Sequence, residues 1–368
     1  MAIISPPHSP PRRSLHLYGL DSIRFLSALI VVFTHTGLPS PASLFGSLGV
    51  LGKVLSGLYL NLLNGQGAVM IFFVVSGLCI HLPQVGRGAP NWGAFLLRRY
   101  LRLGVPLAAA FALGPLLHSQ IFGGANPVKS IWWSLMAELI YYSLYPMLFL
   151  AARRWGWTWV TGACFAVSLV LLGANSEVLH PAKFGRWTTA FIYLPVWLLG
   201  CVLAEQIGQG RLPVSVGSRR WLWRGAILGT LIASNVLIHH SPMALPPVRF
   251  PVSVLLVGVV AWLWLPRELS WCREHPPARW LEWCGAWSYS LYLTHLNWFD
   301  LWKRGAAYWK FLTAGSWLET GAHTVFVLAL TVAFYFAVEA PSHRLARNAG
   351  QWLDRRLRAR SAREMTGE

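Results

Sequence analysis

Charge is what this sequence has least of. Only 12% of its 368 residues are Asp, Glu, Lys or Arg, about half the ~25% usual in a soluble domain. With 55% hydrophobic residues and a mean hydropathy of +0.47, that scarcity excludes the two soluble domains that ~150 residues per domain would suggest. Acidic side chains are the rarer sign, 13 against 31 Lys and Arg, for a formal net charge of +18. A basic face would point to nucleic acid. Here the basic residues fall in short clusters between apolar runs, so no nucleic-acid partner is expected. Five cysteines (Cys79, Cys164, Cys201, Cys272 and Cys284) lack CxxC spacing, which indicates neither a metal site nor a disulfide framework. The opening MAIISPPHSPPRRS lacks the apolar core of a secretory leader, so the first apolar run is expected to act as an uncleaved anchor. The sequence shows no internal repeat and no appended soluble domain.

What it does contain is a succession of runs long enough for a ~30 Å hydrocarbon layer, which needs about 20 mainly apolar residues per helix. The fold class expected is all-α, a polytopic membrane bundle. Ten spans are predicted, at about 20–37, 61–82, 103–122, 131–151, 157–173, 187–206, 223–241, 249–266, 284–302 and 319–340. If the chain starts in the cytoplasm, the outer segments hold Lys53, Lys129, Lys183, Arg186, Arg249, Lys303, Arg304 and Lys310. Every other basic residue except Arg24 then lies inside, the bias expected when both termini are cytoplasmic. Residues 1–14 read as a disordered cytoplasmic tail, 15–343 as the transmembrane domain, and 344–368 as a basic cytoplasmic tail drawn to anionic lipid. The 21 Trp residues cluster toward helix ends, where they anchor in the interface.

Several ionisable residues stand inside these runs, and such residues are functional candidates by default. In LDSIRFLSALIVVFTH, Arg24 and His35 are eleven positions apart, which puts both on one helix face and ~16 Å apart along the axis. The plainer reading is an Arg snorkelling to the headgroups and a His satisfied by a neighbouring helix. In FLLRRYLRLGVPL, Arg98, Arg99 and Arg102 open the third span, with Arg99 and Arg102 on one side. Two such guanidinium forks suit phosphate, although positive-inside clustering alone also accounts for them. Glu138, in SIWWSLMAELIYYSLYP, has no adjacent charge and needs a partner such as Arg24 or a hydroxyl network. His295 in SYSLYLTHLNW and Glu339 in FYFAVEAPSHRL are further buried candidates; Asp300 and Glu319 lie nearer the outer surface. His81 and His323 carry no assigned role.

These segments resemble the integral-membrane acyltransferase family 3, whose members O-acylate bacterial glycans and some small molecules. The likeness runs from Leu20 to about Arg344 through LDSIRFLSALIVVFTH, FFVVSGLCI, FLLRRYLRLGVPL, WSLMAELIYYSLYP, SYSLYLTH and VEAPSHRL, in the family's order. Ser22 stands where the family often has Gly, and Leu78-Cys79 where Phe-Leu is usual. The resemblance implies a ten-helix bundle in a bacterial inner membrane, using cytoplasmic acyl-CoA, most often acetyl-CoA, and no metal. It implies that Arg24 and His35 are the essential pair, that Glu138 and His295 are catalytic, and that Arg99 and Arg102, with Arg98, bind the donor. The acceptor implied is a sugar hydroxyl of a polysaccharide such as an exopolysaccharide, a lipopolysaccharide or another glycolipid, with polysaccharide-assembly proteins as further partners.

On this reading His35 removes the acceptor hydroxyl's proton as it attacks the thioester; a covalent acyl-histidine is the other route. A transporter, or an acyl-group translocator without acceptor chemistry, would also bury Arg, His and Glu. It would be expected to show two matching halves, which the sequence lacks. The basic tail alone would fit a non-enzymatic membrane-binding protein.

Overall fold

The computed structural model describes residues 17–39, 41, 45–117, 131–175, 184–213, 217–240, 252–305 and 316–366. The expected N-terminal tail lies outside them, as do Lys129, Lys183, Arg249 and Lys310, the end of the third span and the start of the eighth. The described residues contain no β-strand and form thirteen α-helices. In chain order these are α1 (Leu20–Thr36), α2 (Gly49–Asn61), α3 (Gly65–His81), α4 (Trp92–Leu116), α5 (Trp132–Trp155), α6 (Trp157–Ala174) and α7 (Arg186–Gly208). They continue with α8 (Arg220–His240), α9 (Ser253–Glu274), α10 (Arg279–Ala286), α11 (Ser288–Gly305), α12 (Trp317–Phe334) and α13 (Ala340–Thr366).

Seven helical stretches among the described residues are long and apolar enough to cross a membrane. They comprise α3, α5, α6, α7, α8, α9 and the rod that α12 makes with α13. The chain is thus an all-α, polytopic bundle. The other three expected spans also meet helices, α1, α4 and α11. Helix α1 is apolar but only 17 residues long, whereas the other two are less apolar for a physical reason: α4 carries three arginines, and α11 His295, Asp300, Lys303 and Arg304. Helices that hold the polar groups of a site give up apolar residues to do so.

The middle of the bundle is α3 against α7. A Cβ on Gly77 would overlap the carbonyl oxygen of Trp197, and one on Gly200 would overlap the carbonyl of Val74. Two facing glycines therefore bring the backbones together, the small-residue packing that helices use where lipid supplies no hydrophobic drive. Around this seam Trp197, Tyr141, Tyr145 and Tyr193 are fully buried. Gly65, at the start of α3, packs on Thr34 near the end of α1, so the two helices run antiparallel. One face of the bundle thus holds the start of α1 with the end of α3 (the starting face), and the opposite face holds His35 with the start of α3.

Three features depart from the sequence expectation. The second span begins at Gly65, not 61, because the Asn64 side chain caps the helix by accepting from Gly67 N–H at 2.8 Å. The third begins at Trp92, where Asn91 accepts from Ala94 N–H at 3.2 Å; Arg98, Arg99 and Arg102 therefore lie inside helix α4, not at its start. Finally, α2 and α10 are short helices that no apolar run announces, and residues 340–366 are helical. This last helix, α13, lies along α4, joined to it by an Arg98–Asp354 ion pair at 2.9 Å.

Candidate active site

Several polar groups of the site are set by contacts between helices distant in sequence. Gly19, at the N-cap of α1, is left-handed (φ 88°) and offers no capping side chain. Glu282 of α10 supplies the cap. Its Oε1 accepts from the N–H groups of Gly19 and Ser22, both at 3.2 Å, and from the Ser22 hydroxyl. So fixed, α1 presents Arg24, whose Nη1 donates to Asp21 at 3.2 Å. On α5, Glu138 accepts from the hydroxyls of Ser76 at 2.6 Å and Tyr142 at 2.5 Å, and Trp197 Nε1 donates to Ser76 Oγ at 3.2 Å. Of the two partners expected for Glu138, the hydroxyl network is the one present; Arg24 pairs with its own helix.

These groups line one cavity of about 250 Å³ between α1, α3, α4, α5, α11 and the π-turn Tyr335–Glu339. Arg24, Arg99 and Arg102 line it together with Glu339, Cys79, Ser76, Glu138 and Tyr142, while Val69, Phe72, Ser134 and Tyr292 lie toward the opposite face. Its extent along α3, from Cys79 to Val69, is ten residues or ~15 Å. Glu339 is 1% exposed and ends the π-turn, a distortion that recurs at functional sites. Its Oε2 accepts from Ser290 N–H at 3.0 Å and from the Ser290 hydroxyl, which ties the turn to α11. Tyr289 donates to the Leu103 carbonyl at 3.0 Å and Asn297 to that of Ala110 at 3.0 Å, so α11 is held on α4.

The two histidines stand beyond this cavity. His295 is fully buried, and its Nδ1–H donates to the carbonyl of Tyr292 at 2.9 Å. Nδ1 is then the protonated nitrogen, and the lone pair is on Nε2, which has no hydrogen-bond partner among the described residues. The His35 ring lies 5.3 Å from the His295 ring, centroid to centroid, and His35 keeps an exposed surface. Tyr292 separates the pair from the cavity: its ring lines the cavity and is 6.3 Å from that of His295.

Of the sequence-derived candidates, Arg24, Arg99, Arg102, Glu138 and Glu339 thus meet in one cavity, and His35 meets His295 beside it. Arg98 is turned away toward Asp354. Asp300 pairs with Arg304 at 3.4 Å, and Glu319 accepts from Trp302 Nε1 at 3.0 Å, both toward the opposite face. His81 is buried between Tyr145 and Glu205, at 2.8 Å from each. Among the described residues no three His, Cys, Asp or Glu side chains are placed to hold a metal ion.

Sequence reasoning passed over Ser76, Tyr142, Ser134 and Tyr292. Two of them had a helical signal: Tyr142 is one turn after Glu138, and Tyr292 one turn before His295.

Neither the curated proteins nor the solved structures contain a match to the chain. A family profile does match, over residues 17–338. That span takes in every helix that lines the cavity and both histidines. A polar cavity at the centre of a membrane bundle, and a profile that covers all of its lining but Glu339, agree in one assignment: the chain belongs to the family described as Acyltransferase domain and is a membrane acyltransferase.

Proposed function

We propose that the protein moves an acetyl group from cytoplasmic acetyl-CoA to a sugar hydroxyl of a glycan or glycolipid, at the inner membrane of a bacterium. The observation that carries this reading is the gathering of Arg24, Arg99 and Arg102 at one end of a cavity whose other end abuts Tyr292, with His295 and His35 directly behind it. Guanidinium groups at the starting face, taken as cytoplasmic, suit the donor's phosphates through charge-assisted hydrogen bonds. The ~15 Å of cavity beyond them suits the extended pantetheine arm. The Glu138–Ser76–Tyr142 cluster lies along that path and offers hydroxyl and carboxylate partners to its amides.

In this mechanism His35 is the general base. The acceptor's oxygen attacks the thioester carbonyl carbon, its proton passes to the His35 imidazole, the carbon–sulfur bond breaks, and the CoA thiolate leaves to take up a proton. Base assistance of this kind contributes about 10²–10⁴-fold, and fixed positioning of both substrates supplies the rest of the advantage. His295, whose ring packs against it, orients the His35 ring. Because Tyr292 stands between the donor cavity and the histidines, its ring stays closed while the donor binds and turns aside only for the transfer step that follows.

The test is made in cells. Glycans from a strain with the protein and one without it are compared by mass spectrometry, beside a strain carrying His35→Ala at normal membrane abundance. A mass difference of one acetyl group, lost in the deletion and in His35→Ala, supports the reading. Glycans that are unchanged by deletion, with solute flux changed instead, would favour a transporter.

A further inference from the structure

The donor cavity is polar at one end and aromatic at the other, and its aromatic end is closed by a specific arrangement. Ser134 Oγ donates its single proton to the Ile131 carbonyl at 2.9 Å. The 2.6 Å contact between Ser134 Oγ and the Tyr292 hydroxyl must then be a bond that Tyr292 donates. That directional bond pins the Tyr292 ring across the end of the cavity. Phe72 meets it edge to face, with centroids 5.9 Å apart. Ser134 and Tyr292 are buried, and the three residues come from three helices, α5, α11 and α3, each held by the packing already described.

We propose that Phe72, Ser134 and Tyr292 form a stop that limits the acyl chain to a few carbons, making this an enzyme for short-chain acyl thioesters. The inference rests on the reading of the cavity as the acyl-CoA site and goes further by naming what sets its substrate class. With the donor's phosphates on Arg99 and Arg102, the pantetheine arm runs along α3 from Cys79 toward Phe72, ~10 Å, and the last turn to Val69 is left for the acyl group. The acyl group then lies against the faces of Phe72 and Tyr292. An acetyl fits under the closed pair. Once the chain outgrows the space under the pair, a further methylene must displace a ring that is held by a hydrogen bond or by edge-to-face packing, and one methylene too many in a hydrophobic pocket costs about tenfold or more.

The experiment uses the full chain in lipid nanodiscs and non-hydrolysable thioether analogues of CoA that carry acetyl, butyryl, hexanoyl and octanoyl groups. Each dissociation constant is divided by that of free CoA on the same protein. Wild type should hold the acetyl analogue well and lose about tenfold or more by hexanoyl. Phe72→Ala should move the loss to longer chains, and Phe72→Trp should move it to butyryl. Opposite shifts from the same position are not what general damage produces. If Phe72→Ala does not fold, Phe72→Leu, a smaller reduction, replaces it. Ratios that stay flat along the series in wild type, or a cutoff that neither substitution moves, would overturn the stop. Failure of wild type to bind free CoA at all would instead overturn the donor reading, and the stop with it.

Discussion

His35 and His295 face each other across 5.3 Å, and the second has its Nδ1 committed to the backbone of its own helix. A histidine so fixed cannot turn, and a neighbour packed on it inherits part of that fixity. We expect His35→Ala to lower acyl transfer by about 10²–10⁴-fold, the loss of a general base, with no change in membrane abundance. His295→Ala should lower the rate less, because His35 keeps its proton-accepting nitrogen and loses only its orientation. Transfer rates measured on membranes adjusted to equal protein content check both, and an unaffected His35→Ala removes that residue from the chemistry.

Arg99 and Arg102 sit on the cavity without a carboxylate hydrogen-bonded to either among the described residues, whereas Arg24 has Asp21 and Arg98 has Asp354. A charge-assisted hydrogen bond to phosphate is worth about 1.5–3 kcal/mol, and 1.4 kcal/mol is tenfold in affinity. Arg99→Gln and Arg102→Gln should each weaken CoA binding by about tenfold or more. Pantetheine, which lacks the phosphates, should bind wild type and both variants alike. Calorimetric titration of the purified protein separates the two outcomes.

Cys79 lines the same cavity, while Cys201, Cys272 and Cys284 are buried in the bundle. A small maleimide should therefore label Cys79, and saturating CoA should slow that labelling several-fold. Peptide mass spectrometry with Cys79→Ala as the control reads the site directly. Labelling of Cys79 at the same rate with and without CoA would mean that the donor lies elsewhere.

The seam between α3 and α7 yields a stability prediction. Gly200→Val would drive a branched side chain into the Val74 carbonyl and the Leu78 backbone nitrogen. Backbone cannot yield as a side-chain tip can, so the cost should reach about 3 kcal/mol or more. Melting in detergent should show a large drop or no folded protein, while Gly162→Val, where a Cβ meets nothing within 4 Å, should melt like wild type.

Much of this architecture is legible in the sequence because membrane helices announce themselves by length and apolarity. Each of the ten apolar runs meets a helix, and Arg24 and His35 lie on one helix, the first lining the cavity and the second beside His295. Other features leave no local trace. The start of α4 was hidden because its first two turns mix arginines with apolar residues, and only the Asn91 cap marks it. The bond between Ser134 and Tyr292 joins positions 158 residues apart, and nothing near either residue specifies the other. Helix α13 reads as a basic amphipathic tail, a pattern equally suited to lipid or to α4; the Arg98–Asp354 pair is what places it on α4.

The cap that Glu282 places on α1 has a consequence for how the protein is made. Gly19 and Glu282 are 263 residues apart, and a chain inserted from its N-terminus delivers α1 long before α10 is synthesised. Until then the first turn of α1 lacks its acceptor and Arg24 lacks its final setting. The cavity is therefore among the last parts of the molecule to be completed, and a nascent chain stalled before residue 282 carries Arg24, Arg99 and Arg102 without an assembled cavity around them.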